Sequence, residues 1–130
     1  MQLRDAEFMA QMSTAVEAAP AAQRPLAYID FIAAWTQQPD FCGCAFINAS
    51  AEYSNQNDRP HVLAKAHKQN VLTYLEKICL SAKFKHPAAS AMQLFLIGEG
   101  LIVTCQVNGA SKEFIDSARS LVVALTNAAI

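Results

Sequence analysis

Residues 88–107 read AASAMQLFLIGEGLIVTCQV, an almost unbroken apolar run with one carboxylate, Glu99, at its centre. A run of this kind forces a choice of environment. In a membrane, a central carboxylate costs about 2.5–3.5 kcal/mol on insertion scales. A helix buried on nearly every side in a protein interior accommodates the same residues without that cost. The chain then turns at Asn108 and Gly109, and Phe114, Ala118, Leu121, Leu125 and Ala128 recur at heptad-like spacing, with Ile115, Val122 and Ala129 widening the stripe. Two consecutive apolar helices joined by so short a turn predict an antiparallel hairpin. One chain is not expected to finish burying it. Two copies about a two-fold axis would do so as a four-helix bundle, with Leu101, Ile102, Phe114, Ala118, Leu121, Val122 and Leu125 as the expected dimer contacts.

The rest of the chain reads as all-α. Its few glycines and five prolines fall mainly where helices start or stop, and strand-like alternation is absent. Phe8, Met12, Ala15 and Ala19 predict a first helix from Leu3 to Ala19, closed by Pro20. A second opens at Pro25 and runs to Gln37, with Tyr28, Ile32 and Trp35 on one face. A short third begins near Gly43 and reaches Tyr53. After the polar loop Ser54–Arg59, with Asp58 as a cap, a fourth runs from Pro60 to Ala82 with the stripe Val71, Leu75, Ile78, Cys79 and Ala82. The hairpin supplies the fifth and sixth helices, the sixth capped by Ser111. With 130 residues, one core can bury roughly two thirds of the unfolded surface, so the expectation is a single domain over residues 1–130.

Composition removes several functions. The net charge is −1, with Lys and Arg scattered, so the basic stripe that neutralises phosphates is missing and tight DNA binding by this chain is not expected. The charged opening MQLRDAEFMAQM does not read as a secretory signal, which predicts a cytoplasmic setting and free thiols at Cys42, Cys44, Cys79 and Cys105. Cys42 and Cys44 form a C-x-C pair too tight for a zinc knuckle, with no downstream partner pair. His61 and His67 lie about 240° apart around a helix and cannot share an ion. No E-x-x-H or H-E-x-x-H motif occurs. No metal, cofactor or catalytic group is expected. Gly98 and Gly100 flank Glu99 inside a helix, which suits close helix approach better than a phosphate loop.

Gly43-Cys44-Ala45-Phe46-Ile47-Asn48-Ala49-Ser50-Ala51-Glu52, after a helix ending in Trp35, is similar to the G-C-x-F-x-N-x-x-x-E stretch of many TetR/AcrR transcriptional regulators. The order downstream is similar too: His67-Lys68 in a long helix, then Gln93 to Gly100 resembling a Q-L-x-x-L-x-x-G pattern, then a last apolar helix. The resemblance spans Phe8 to the C-terminus. It implies the effector-binding and dimerisation domain of such a regulator. Residues 1–19 would be the remnant of a linking helix, residues 88–130 the dimerisation hairpin, and the helix-turn-helix module would be missing.

Such a domain would hold a small apolar or amphipathic ligand in a mostly apolar cavity bounded by the second to fifth helices. Phe31, Trp35, Phe46, Tyr74, Met92 and Phe95 are the expected apolar contacts, with Phe41 and Tyr53 as further aromatics, and Asn48, Glu52, His67 and Gln93 as polar ones. Glu52 and His67 could instead tie the third helix to the fourth. Glu99 needs a partner, with Arg119 across a dimer interface or a ligand as the candidates. Two other functions stay open: a dimerising fragment that pairs with full-length regulators, and a small helical thiol-based redox protein.

Overall fold

Proline and glycine positions divide the chain into six helices: α1 (Gln2–Glu17), α2 (Arg24–Thr36), α3 (Ala45–Glu52), α4 (Arg59–Ser81), α5 (Pro87–Asn108) and α6 (Lys112–Ala129). A single turn of 3-10 helix, Ala21–Gln23, precedes α2. The computed structural model describes the backbone of residues 2–130 and the side chains of residues 4–130. Met1, where the remnant of a linking helix is expected to begin, lies outside the described residues. No strand occurs among the described residues, in line with the all-α expectation.

Local chemistry sets the helix ends. Pro25, Pro60 and Pro87 occupy the first turns of α2, α4 and α5, where a missing N–H costs nothing. The Ser111 side chain accepts the Phe114 N–H at 3.3 Å and caps α6. Asp58 holds the capping position of α4, but its side chain makes no capping bond. Gly43, just before α3, has φ +96, and a Cβ there would stand 2.2 Å from the Gln106 side chain. The positive φ favours glycine here, while the exposed end of the Gln106 side chain could swing aside.

α5 is walled by α2, α4 and α6, and α2 also carries α1. Tyr28, Ile29 and Ile32 of α2 meet Leu94, Leu101 and Ile102 of α5 and Ile115, Ala118 and Val122 of α6 in one core. Val71, Leu75, Ile78 and Cys79 are buried, as the α4 stripe predicts. In α1 the buried residues are Met12 and Val16, whereas Ala15 is exposed and Ala19 half-buried, because the helix rolls its larger side chains inward. By length and composition α5 could cross a membrane. Here it buries one face in the bundle and leaves Met92, Leu96, Val103 and Val107 exposed on the other, so it is not enclosed on nearly every side as its composition suggests. Glu99 pairs with Lys68 at 2.8 Å. Gly98 lets α2 approach α5: a Cβ there would lie 2.4 Å from the Tyr28 hydroxyl.

Candidate functional site

The end of α2 runs into a non-helical segment, residues 37–44, that lies against the first half of α1 and the start of α3. Between them opens a pocket of about 330 Å³. α1 contributes Arg4, Glu7, Phe8 and Gln11. Trp35 closes α2. Gln38, Asp40, Phe41, Cys42 and Cys44 come from the connection, and Phe46 and His67 complete the wall from α3 and α4. The aromatic side is ordered by edge-to-face packing. Trp35 meets Phe41 at 5.1 Å and Phe8 at 5.7 Å between ring centroids, and Phe8 also meets Phe31 at 5.5 Å.

His67 is buried. Its ring stacks on Phe46 at 3.8 Å, with Phe8 edge-on at 5.1 Å. Nδ1 lies 2.6 Å from an Asp5 carboxylate oxygen, and a carboxylate only accepts, so Nδ1–H donates. The other Asp5 oxygen accepts from Asn70 at 2.9 Å. Burial lowers the His67 pKa and outweighs the raising effect of the Asp5 bond. The ring is therefore held neutral. This bond ties α1 to α4 together with Asn70–Asp5 and a bond from Tyr74 of α4 to Glu17 of α1.

Beside this pair, Lys68 donates to Glu99 and, at 3.3 Å, to the Cys44 sulfur. Glu99 thus finds its partner in its own chain. Arg119, the sequence candidate for that role, pairs with Asp30 instead. Among the described residues no group of three or more His, Cys, Asp or Glu is placed to hold a metal ion.

Of the residues expected at the ligand site, Trp35, Phe46 and His67 converge on this pocket. Phe31 stands behind it against Phe8. Phe95 lines a separate groove with Phe46, Lys68 and Glu99. The others lie elsewhere. Asn48 is exposed and accepts from Gln106 at 3.0 Å. Glu52 and Gln93 face solvent, and Met92 is 58% exposed. Tyr74 bonds Glu17 at 3.2 Å, its pKa pushed up to about 12 by burial first and then by that carboxylate. The tie considered between Glu52 and His67 is replaced by His67–Asp5, since α3 meets His67 through Phe46 and leaves Glu52 exposed at its end. The pocket also differs in place and character: it lies at α1 and the α2–α3 connection rather than inside helices two to five, and its lining is as polar as it is apolar. Asp40 and Cys42 had one sequence signal, their place in a non-helical Pro-Asp-Phe-Cys-Gly segment. Glu7, Phe8 and Gln11 had none that separates them from an ordinary helix face.

A second concave surface lies on the outer side of the hairpin, where Leu96, Gly100, Thr104, Phe114, Ser117 and Leu121 line an apolar groove of about 420 Å³. Of the expected dimer contacts, Phe114 and Leu121 are exposed there at 38% and 57%, and Leu125 is half-buried. Leu101 and Ala118 are almost fully buried at the floor of the groove, whereas Ile102 and Val122 are covered by their own chain. The intramolecular core takes the inner face of each hairpin helix, so a partner can reach only the outer one.

No family model matches the sequence, and no curated protein does. Among solved structures, the chain is similar to a TetR-family transcriptional regulator from Streptomyces coelicolor, with a TM-score of 0.85 and 22% identity. The match covers 96% of this chain and 66% of that one, so the chain spans just under two thirds of the regulator's length. At that identity the likeness establishes a shared fold.

Proposed function

We propose that the chain is the effector-sensing and dimerisation domain of a TetR-type transcriptional regulator. A small amphipathic ligand occupies the pocket at α1, and the domain is cytoplasmic and performs no catalysis. DNA contact belongs to a helix-turn-helix module outside these 130 residues. The observation that carries this reading is the His67–Asp5 bond. One wall of the pocket is a buried ring, and that ring is bonded to Asp5 in the first turn of α1. A molecule that displaces or stiffens the wall therefore acts on α1, which is how occupancy would reach a module joined to that helix. The shared fold with a TetR-family regulator supports the same reading.

Trp35 is the only tryptophan and lines the pocket, which makes the test direct. The neutral fluorophore N-phenyl-1-naphthylamine should bind once per chain, saturably, quenching Trp35 emission as its own emission rises. Absence of saturable binding would sink the sensor reading. The apolar groove on α5 and α6 favours dimerisation independently of any ligand. A dimer without probe binding would leave a pairing fragment as the function.

A further inference from the structure

The pocket has an unusual balance of aromatic and charged groups. Phe8, Trp35 and Phe41 stand at steep angles, with interplanar angles of 67° for Phe8–Trp35 and 85° for Trp35–Phe41, so the three rings form a corner rather than a flat slab. Aromatic faces carry negative potential and attract cations. The lining holds three charged side chains, Arg4, Glu7 and Asp40, and none is in an ion pair among the described residues. Arg4 brings one positive charge against the two carboxylates of Glu7 and Asp40, so the lining is left with a net negative charge. Asp40 stands on the connection, beside Phe41 of the aromatic corner.

The nearby bases add nothing positive. His67 is held neutral by burial while its Nδ1–H is committed to Asp5, and the Lys68 charge is matched by Glu99 at 2.8 Å. A neutral ligand would cover the Asp40 carboxylate without partnering it, and an anion would add repulsion. A cation gains from both the carboxylate and the rings.

We infer that the ligand is a small organic cation with a flat aromatic body, its charge lodged between Asp40 and the Phe8–Trp35–Phe41 corner. This rests on the effector-pocket reading above and adds the class of ligand to it.

The test is displacement of bound N-phenyl-1-naphthylamine by three molecules of nearly one shape: phenyltrimethylammonium, its neutral isostere tert-butylbenzene, and benzenesulfonate. The cation should displace the probe at a concentration on the order of tenfold below either competitor. Asp40→Asn should remove most of that preference. Glu113→Gln, an exposed charge change on α6, should leave it intact. Equal or better displacement by the neutral or anionic molecule overturns the cation assignment while the sensor reading stands, and so does a preference that survives Asp40→Asn. Failure of the probe itself to bind overturns both.

Discussion

Two opposed effects meet at His67, the loss of water around a buried ring and the carboxylate of Asp5 at 2.6 Å. Burial wins, and the pKa falls below its ordinary 6.5. The folded state then binds fewer protons than the unfolded chain just below that value. This contribution to stability is whole above about pH 6.5 and is lost as the pH falls through and beneath it. His67→Gln keeps an N–H donor for Asp5 but cannot titrate. The gap in unfolding midpoint between the native chain and this variant should therefore narrow from pH 7.5 to pH 5. A constant gap would mean that His67 is not held neutral. The neighbourhood of Gly98 makes a second residue-scale prediction. A methyl group there meets the enclosed Tyr28 ring at 2.4–2.9 Å. Overpacking costs about 1–3 kcal/mol and the gain in helix propensity returns at most about 1. Urea unfolding of Gly98→Ala should show a net loss, and a gain would mean that Tyr28 yields freely. At this scale the sequence was only partly readable. Trp35, Phe46 and His67 lie on regular helical faces, where spacing singles them out, and they line the pocket, while Asp40 and Cys42 sit where no period exists. Asn48 and Gln93 read as polar groups on apolar helices but simply face outward.

Helices were the most legible level, because proline, glycine and Ser111 mark their ends in chemistry that needs no tertiary context. The α4 stripe is buried where its spacing places it. The hairpin was harder, for a physical reason. α5 is apolar almost all round, so its pattern cannot say which side meets its own chain and which side is left over. Phe114 and Leu121 lie outward, Ala118 forms part of the groove floor and Val122 lies inward, although one stripe holds them all. The adjacent pair Leu121 and Val122 turns this into a measurement. Val122 is fully buried and Leu121 is 57% exposed. Val122→Glu should abolish cooperative unfolding by placing a charge in the core, while Leu121→Glu should keep the helical circular dichroism of the native chain. Loss of folded structure in both would contradict the orientation of α6.

For the whole molecule, the proposed function gives one task to each of two separate surfaces, the outer hairpin face and the pocket at α1. The apolar groove should join two copies through an interface of roughly 2,000 Å² in total. Light scattering at micromolar concentration should give a dimer mass for the native chain and a monomer mass for Leu121→Glu; a native monomer would remove the dimer. Occupancy of the pocket should reach α1, and amide hydrogen exchange with and without saturating N-phenyl-1-naphthylamine reads this segment by segment. Bound probe should alter exchange in α1 and in residues 37–46 and leave α6 unchanged. Exchange in α1 that is identical with and without bound probe would contradict that link between pocket and helix.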